Sequence, residues 1–372
     1  MYPPVTERTT QIEKVAPVET KTGDVATGEQ ASFSIVAIAS GLQVPRGVVQ
    51  TSTERLLVTE RPGRVRQIVG GVLYAEPLLS LPDISSSEEE GLMSIVLDPQ
   101  YQVTNDRLYL TYAYKTAGTT MVKVVRYTDA GDTLTDPVVI RDMLPAAKRH
   151  AGSAIAFGPD GKLYITVGDA TERTLAQSLD TLHGKILRIN ADGSIPADNP
   201  FTWSAIRSYG HRNSQGIAWM RDGAMYASEH GPSTFDGPPG GDEINRIVAG
   251  ANYGWPVVSH EEEAPGMQNP IAIYTPAIAP ASLLIYQGEM FPTWKNTLFV
   301  GMLRGEGILR LVIDPQDPDK ILSTEKIVDD RYGRIRFIGE APDGSIYFTT
   351  SNQDGRGKNR PESDVIYQIV HK

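Results

Sequence analysis

Residues 159–169 read PDGKLYITVGD, a turn signal followed by a short apolar strand with an aromatic residue near its start. Asp-Gly favours a tight turn because both residues tolerate positive φ angles and the aspartate bonds the local backbone. The same pattern occurs six times, as TERLLVTE (53–60), NDRLYLTYAY (105–114), PDGKLYITVGD (159–169), RDGAMYASEH (221–230), KNTLFVGML (295–303) and PDGSIYFTTS (342–351). Such repetition predicts an array of similar β units.

Each of these strands has one strand-like segment before it and another after it. The preceding segments are RGVVQ (46–50), LMSIVLD (92–98), GSAIAFG (152–158), QGIAWM (215–220), SLLIYQG (282–288) and RIRFIGE (334–340). The following segments are RVRQIV (64–69), MVKVVRY (121–127), KILRIN (185–190), EINRIV (243–248), GILRLVI (307–313) and DVIYQIV (364–370). Three tandem strands, with enough spacing for a fourth, are typical of propeller blades.

The chain is therefore predicted to be an all-β protein, a six-bladed β-propeller of four-stranded antiparallel blades that spans residues 32–372. The strand FSIVAIA (33–39) precedes the first unit and could complete the last blade, which would close the ring without an open edge. A pair of β-sandwiches is the alternative architecture, and the sixfold repeat argues against it. Residues 1–31 are rich in Thr, Glu, Pro, Val and Lys and are expected to form a flexible leader or linker.

The bulk composition excludes several classes of function. The net charge of the 372-residue chain is −10, which argues against a general nucleic-acid or anionic-membrane surface. The absence of cysteine excludes disulfides, thiolate metal sites and thiol nucleophiles. No apolar run reaches the roughly 18 residues of a transmembrane helix. The leader also lacks the apolar segment of a signal peptide, so we expect that an export signal or anchor was removed from a longer precursor.

Polar residues gather just before the first strand of several units. Because first strands line the central channel of a propeller, these residues are expected to converge on one mouth. They are Arg46, Glu89 with Glu90, His150, Arg212 with Asn213, and Arg334 with Arg336, while Arg304 follows a second strand. Arginine forks match carboxylates and phosphates, so the mouth is expected to bind a small ligand with several such groups. Taken singly, each arginine could instead brace neighbouring blades, and His150 could be an ordinary loop histidine.

The segment SEHGPSTFDGPPGGDEINRIVAGANYGWP (228–256) offers carboxylates and glycine-exposed backbone carbonyls. These oxygens are the ligands that calcium prefers in flexible loops. The spacing is not that of an EF-hand, and acid-rich glycine loops are common. The residues alone therefore leave metal binding open.

From about residue 38 to the C-terminus, the sequence resembles the soluble pyrroloquinoline quinone (PQQ)-dependent glucose/sorbosone dehydrogenase family, and especially its aldose sugar dehydrogenases. The motifs that carry the resemblance are GLQVPRG (41–47), LLVTERPGRVR (56–66), EEGLMSIVLDP (89–99), HAGSAIAFGPDGKLYITVGD (150–169), LHGKILRINADGSIPADNPF (182–201), SYGHRNSQGIAW (208–219), SEHGP (228–232), GGDEIN (240–245), NYGWPVV (252–258), FPTWKNTLFVGMLRG (291–305) and RIRFIGEAPDG (334–344). The resemblance implies a six-bladed propeller, which the repeat count predicts independently, and a quinoprotein oxidoreductase.

The resemblance also implies roles for individual residues. His150 would be the general base that takes the proton from the anomeric hydroxyl of an aldose, while a hydride passes to PQQ and a lactone forms. The positions that match cofactor-binding residues are Glu89, Arg212, Asn213, Arg304, Arg334 and Arg336. Gly231 and Pro232 match the carbonyls that bind a calcium ion bridging to PQQ, and Glu243 with the Tyr253 carbonyl matches a further calcium site of some members.

Beyond the site, the resemblance implies an aldose substrate, an external electron acceptor (a quinone, dye or cytochrome), a periplasmic or extracellular location, and a monomer or homodimer. The sequence departs from the family after His150, where Gly152, Ser153 and Ala154 stand in place of Gly-Gly-Arg, and at Arg304, where lysine is frequent. Two alternatives therefore stay open. One is a non-catalytic propeller that binds carbohydrate or protein, and the other is a calcium-dependent lactonase or other hydrolase.

Overall fold

The computed structural model describes residues 31–152, 154–357 and 364–372. The leader or linker expected at residues 1–31 therefore falls almost entirely outside the described residues, as does Ser153. Within the described ranges the chain is all-β, with 25 strands and three short 3₁₀ helices, Arg173–Gln177, Pro292–Trp294 and Asp330–Tyr332. None of the helices in these ranges has the length and apolar character needed to cross a membrane.

The strands are numbered in chain order. Those of the first part of the chain are β1 (Phe33–Ala39), β2 (Pro45–Ser52), β3 (Arg55–Glu60), β4 (Arg64–Val69), β5 (Val72–Leu73), β6 (Leu79–Ser80), β7 (Leu92–Leu97), β8 (Arg107–Thr116), β9 (Thr119–Asp129), β10 (Leu134–Pro145), β11 (Ile155–Phe157), β12 (Leu163–Val167), β13 (Lys185–Ile189) and β14 (Ile206–Tyr209). The others are β15 (Ser214–Trp219), β16 (Met225–Glu229), β17 (Asp242–Ile247), β18 (Ala272–Tyr274), β19 (Pro280–Ile285), β20 (Leu298–Met302), β21 (Ile308–Asp314), β22 (Asp317–Val328), β23 (Ile335–Glu340), β24 (Ile346–Thr350) and β25 (Ile366–His371).

These strands form six antiparallel sheets, one for each predicted repeat. Blade 1 is β2 to β5, with β6 also paired to β4, and blades 2 to 5 are β7–β10, β11–β14, β15–β18 and β19–β22. Blade 6 combines β23, β24 and β25 with β1 as its outer strand, in a register that sets Phe33 opposite His371. The six-bladed fold and the closure of the ring by FSIVAIA are therefore confirmed.

Local sequence explains the blade geometry. The predicted Asp-Gly turns are present, with positive φ at Gly161 (69°), Gly223 (92°) and Gly344 (83°). The second strands are largely buried because neighbouring blades cover both of their faces, and every residue of β12, β16 and β20 is buried. The outer strand β22 is mostly exposed, since it has solvent rather than another blade at its edge.

The hydrophobic core lies between the blades. Six buried clusters each join two adjacent blades, and together they form a ring around the axis. The first strands of successive blades also contact one another in cyclic order, from β2 through β7, β11, β15, β19 and β23 back to β2. The segments just before these inner strands therefore meet at one end of the channel, as the sequence predicts.

Candidate active site

His150 lies at this end of the channel, five residues before β11, and its side chain is buried. Its backbone is in the left-handed region, with φ of 59°, a strained conformation for a non-glycine residue. The amide of His150 donates to Glu89 Oε2 at 2.9 Å, which helps to hold this conformation. Gly168 allows the close approach, because a Cβ there would lie 1.9 Å from the His150 carbonyl oxygen. The backbone of His150 therefore packs closely against Gly168 at the end of β12.

Asp169 fixes the orientation of the His150 ring. Its Oδ1 lies 2.7 Å from His150 Nδ1, and its Oδ2 accepts a 2.8 Å hydrogen bond from Trp255 Nε1. The Asp169 amide donates to the Arg212 carbonyl at 2.8 Å, which anchors the aspartate to blade 4. A carboxylate in this position favours the tautomer with the proton on Nδ1. Nε2 is then the nitrogen that remains to accept a proton from a substrate.

Glu89 and Asn213 bind each other beside His150. Asn213 Nδ2 donates to Glu89 Oε2 at 3.3 Å, and Asn213 Oδ1 accepts from the Gly152 amide at 3.2 Å. Burial by itself would raise the pKa of Glu89, but the nearby His230, His150 and Arg356, together with the His150 amide, lower it overall. Glu89 is therefore a carboxylate at neutral pH. The predicted residues Glu89, His150 and Asn213 form one bonded group.

Arg212 is buried next to this group. Its Nε donates to Asp236 Oδ2 at 2.8 Å and its Nη1 donates to the His230 carbonyl at 3.0 Å. Its backbone amide donates to Glu229. Nη2 of Arg212 is buried and has no hydrogen-bond partner among the described residues. An unpaired buried guanidinium donor carries a desolvation cost, and an anionic ligand would relieve it.

The opposite wall of the channel is cationic, and its residues Arg46, Arg334 and Arg336 form the arginine wall. Arg46 and Arg336 are both buried, and their Nε atoms lack partners within the part of the chain that the structure describes. Burial lowers the pKa of Arg46 well below its usual value, and the charges of Arg336 and Arg61 add to the effect. Burial likewise lowers the pKa of Arg336 to about 10. Like charges held together away from water favour a bound anion that would balance them.

Each arginine on this wall has only a few protein contacts. Arg46 Nη2 donates to the Glu89 carbonyl at 2.9 Å, and Arg336 Nη1 donates to Gln215 Oε1 at 3.2 Å across the channel. Arg334 is better satisfied, since it is paired to Asp354 at 2.8 Å and donates to the Leu303 carbonyl at 3.0 Å.

Arg304 lies apart from the bonded network. Its side chain is exposed and has no ion-pair partner among the described residues, and its amide donates to the Ile278 carbonyl at 2.9 Å. Its assignment to the cofactor stays a prediction.

The residues predicted to bind calcium line a second, acidic part of the site. Gly231, Pro232, Glu243 and Tyr253 border one small cavity together with Glu229. Burial raises the pKa of Glu243 to about 8, with further contributions from the charges of Glu229 and Asp242. Among the described residues, this carboxylate accepts one side-chain hydrogen bond, from Asn245 Nδ2 at 3.0 Å. A bound cation would favour the ionised form of this buried carboxyl.

The side chains alone do not make a full metal site here. In the described ranges, no group of three or more His, Asp or Glu residues is arranged to hold a metal ion. Calcium bound at this cavity would therefore depend on backbone carbonyls as well as carboxylates, which is the mixture it commonly takes. The predicted ligands have this composition, with the Gly231 and Pro232 carbonyls for one calcium ion and the Glu243 carboxylate with the Tyr253 carbonyl for a further ion.

A larger cavity of about 550 Å³ opens beside the acidic part of the site. It shares Pro232 with the small cavity and is bordered by Asp236, the partner of Arg212, and by Trp255, the partner of Asp169. A mixture of aromatic and polar walls in a volume of this size is typical of small-molecule sites. Space for a ligand therefore adjoins the residues that hold His150 and Arg212.

Sequence reasoning missed four residues of the site. Asp169 and Trp255 orient His150, while Arg61 and Asp354 extend the charged network around the arginine wall. Asp169 and Trp255 lie inside the motifs HAGSAIAFGPDGKLYITVGD and NYGWPVV. The motifs therefore include both residues but do not show that Asp169 contacts His150 and Trp255. Nothing in the local sequence marks Asp354, because its partner Arg334 precedes it by a full hairpin.

Comparisons with known proteins show what this chain is similar to. The family model for glucose/sorbosone dehydrogenase matches residues 42–362. The aldose sugar dehydrogenase YliI of Escherichia coli is 32% identical over 81% of this chain and 85% of its own, and the quinoprotein glucose dehydrogenase B of Acinetobacter calcoaceticus is 26% identical over 89% and 87%. The PQQ-bound aldose sugar dehydrogenase of Streptomyces coelicolor superposes with a TM-score of 0.79 at 30% identity, over 92% of this chain and 99% of that one.

The match to the family model covers most of the chain, and the identity to YliI extends over a similar share. Both agree with the resemblance inferred from the sequence and with its assignment as an oxidoreductase. The chain therefore belongs to the glucose/sorbosone dehydrogenase family.

Proposed function

We propose that this protein oxidises the anomeric hydroxyl of an aldose to a lactone, with PQQ as the hydride acceptor and calcium as a bound cation. The observation that carries the proposal is the pairing of His150 with Asp169 beside a wall of buried arginines, two of which have an Nε atom without a hydrogen-bond partner among the described residues. The first feature is suited to removing a proton, and the second is suited to holding an anionic cofactor.

The arginine wall and Arg212 fit the chemistry of PQQ. PQQ carries several carboxylates, and the unpartnered guanidinium nitrogens of Arg46, Arg212 and Arg336 are the donors that such groups seek. Asn213 and Glu89 would add polar contacts beside the same space, and Arg334 would contribute charge from its pair with Asp354. Arg304 remains a proposed cofactor residue on the strength of the motif alone.

Calcium is proposed at the acidic cavity. The carbonyls of Gly231 and Pro232 would bind the ion nearest the cofactor, and Glu243 with the Tyr253 carbonyl would bind a further ion. The raised pKa of Glu243 supports this proposal, because a cation would stabilise the ionised carboxylate. A calcium ion in this position would also act as a Lewis acid toward a neighbouring carbonyl oxygen.

The residues of this chain would act on the sugar as follows. His150 Nε2 accepts the proton of the anomeric hydroxyl, and Asp169 stabilises the resulting imidazolium through Nδ1–H. Glu89 holds the His150 amide and so keeps the ring in place through the proton transfer. When bound, PQQ supplies the acceptor for the hydride that leaves the anomeric carbon.

Two further features of the proposal follow from the family and from the chemistry. Turnover requires an external electron acceptor, such as a quinone, dye or cytochrome, that reoxidises the cofactor. We also place the working enzyme in the periplasm or outside the cell, as a monomer or homodimer. Assays with different electron acceptors would test the first statement, and light scattering of the purified protein would test the oligomeric state.

Reconstitution tests the central proposal. Purified apoprotein is titrated with PQQ in the presence of calcium, and dye reduction is then followed with a panel of aldoses. We expect saturable PQQ binding and PQQ-dependent oxidation of at least one aldose. A protein that binds PQQ yet oxidises no aldose would contradict the proposed activity. Lactone hydrolysis without PQQ, or carbohydrate binding without PQQ binding, would instead support one of the two alternatives.

Matched arginine variants sharpen that experiment. Arg336→Gln removes a buried guanidinium from the channel wall, and we expect PQQ affinity to fall by about tenfold to a hundredfold, the loss typical of a charge-assisted hydrogen bond. Arg221→Gln is the control, since Arg221 is exposed in the turn before β16. Equal PQQ affinity in the two variants would argue against the cofactor position proposed here.

A further inference from the structure

Phe235 is a large apolar side chain that is 52% exposed beside the reacting group of the site. Its ring centroid lies 5.6 Å from that of His150, with 32° between the ring planes. The guanidinium carbon of Arg212 lies 5.9 Å from the same centroid, and that of Arg149 lies 5.4 Å from it. Phe235 therefore adjoins both the proposed base and a proposed cofactor residue, while about half of its surface stays open.

The loop that carries Phe235 is fixed by its neighbour, Asp236. Asp236 Oδ2 accepts from Arg212 Nε at 2.8 Å, and its Oδ1 accepts from the Ser233 amide at 2.7 Å. Its carbonyl accepts from Arg173 Nη1 at 3.2 Å. These contacts tie the loop to blades 3 and 4. The contacts of Asp236 therefore hold the backbone that places Phe235 beside His150.

An exposed aromatic ring in this position matches the non-polar part of a sugar. One face of a pyranose ring presents C–H groups with slight positive charge, and the face of an aromatic ring is slightly negative. Sugar sites accordingly need apolar walls as well as the polar groups that fix orientation. Around His150, the other side chains described above are charged or amide-bearing, except for Trp255, which is only 6% exposed. Phe235 is therefore the exposed aromatic surface that suits the C–H face.

We propose that Phe235 forms the aromatic wall of the aldose site and contacts the non-polar face of the sugar ring whose anomeric hydroxyl is directed at His150 Nε2. The proposal rests on the proposed function and deepens it, since it names the residue that recognises the substrate ring. Asp236 is a positioning residue in this arrangement, because it acts on the sugar through the placement of Phe235 and Arg212.

Steady-state kinetics of the PQQ-loaded protein test this role. In Phe235→Ala we expect KM for the aldose to rise about tenfold with kcat within about twofold, because the lost contact is made equally in the ground and transition states. Phe235→Trp should restore KM to within about threefold of the wild-type value. Trp203→Ala is the control for removal of an exposed aromatic ring, since Trp203 is 89% exposed.

Two kinetic outcomes would overturn the proposal. An unchanged KM in Phe235→Ala would mean that the ring does not contact the sugar. A fall in kcat at constant KM would mean that the ring only braces the His150 imidazole. PQQ titration of the same variants is expected to give the wild-type affinity, which separates sugar recognition from cofactor binding.

A binding measurement separates this proposal from the proposed activity. The glucose analogue that lacks the anomeric hydroxyl cannot be oxidised there, so calorimetry reports its binding to the PQQ-loaded protein without turnover. We expect binding to wild type and to Phe235→Trp, and about tenfold weaker binding to Phe235→Ala. Equal binding by wild type and Phe235→Ala, or no binding by either, would contradict the role of Phe235. Failure of wild type to oxidise any aldose would count against the proposed function instead.

Discussion

His150 and His211 are two buried histidines whose Nδ1 atoms have similar partners but whose Nε2 atoms do not. In each, Nδ1 faces a carboxylate, at 2.7 Å from Asp169 for His150 and at 2.8 Å from Glu229 for His211. Nε2 of His211 lies 2.8 Å from Ser208 Oγ, and its ring stacks on Tyr253 with centroids 4.6 Å apart. Nε2 of His150 has no bonded partner among the described residues. The open nitrogen, rather than the histidine–carboxylate pair, marks the candidate base.

The surroundings of the two histidines reinforce this difference. The His150 region joins blades 2, 3 and 4 and carries a left-handed backbone at the histidine itself. The His211 region is closed by aromatic stacking and by bonds to Ser208 and Glu229, and it adjoins the acidic cavity. We infer that the first region acts on the substrate and that the second supports the cation site.

The largest expected effect comes from removing the proposed base. His150→Ala should lower kcat by about a hundredfold to ten-thousandfold, the usual contribution of general base catalysis. PQQ affinity should change little, because the arginine wall is intact. Dye-coupled turnover and PQQ titration measure the two quantities. A variant that retains most of its turnover would remove the functional distinction between the two histidines.

Asp169→Asn is expected to have the next largest effect. The amide cannot stabilise an imidazolium as the carboxylate does, and it can hold the wrong tautomer, so kcat should fall by about a hundredfold with a smaller change in KM. The pH profile of kcat should shift as well, which a purely structural role would not produce. Asp98→Asn is a matched control, since Asp98 is a buried carboxylate that accepts from Tyr109 Oη at 3.0 Å, outside the site.

Calcium binding tests the proposed role of the acidic cavity beside His211. Calcium should raise the Tm of the wild-type apoprotein, because a ligand that binds only the folded state stabilises it. In Glu243→Gln we expect calcium affinity to fall about tenfold or more, since a charged ligand is lost. Thermal unfolding with and without a chelator measures this change. Glu54→Gln, at an exposed position, should behave as wild type, and an equal calcium response in Glu243→Gln would contradict the assignment.

His211→Gln should have the smallest effect on turnover. We expect kcat at saturating PQQ and calcium to stay within a factor of about three, while Tm falls because a buried hydrogen-bonded ring is lost. Calorimetric unfolding alongside dye-coupled turnover measures both. A loss of turnover as large as that of His150→Ala would show that the two histidines share the chemistry.

The fold was predictable because its signals are local and repeated. Each Asp-Gly turn and each short apolar strand can be recognised within about ten residues, and six copies in tandem predict a ring. The pairing of FSIVAIA with the last blade was also predictable, since a propeller with an open edge would expose unpaired strand hydrogen bonds. Such features depend on neighbouring residues and on periodicity, which a single sequence contains.

The contacts inside the site were less predictable, because they join distant parts of the chain. Asp169 meets His150 across a hairpin, and Trp255 meets Asp169 from the next blade. Phe235 adjoins His150 although 85 positions separate them (235 − 150). Motifs predicted the proposed base and most of the arginines, but the residues that orient or complement them are defined only by the packing of the blades.

Single-turnover reduction of bound PQQ tests most directly whether His150, and not His211, is the base. Stopped-flow absorbance follows the cofactor after wild type, His150→Ala and His211→Gln, each loaded with PQQ and calcium, are mixed with an aldose that wild type oxidises. We expect rapid reduction in wild type and His211→Gln, and reduction at least about a hundredfold slower in His150→Ala. Equal rates in wild type and His150→Ala, with PQQ bound in both, would contradict it.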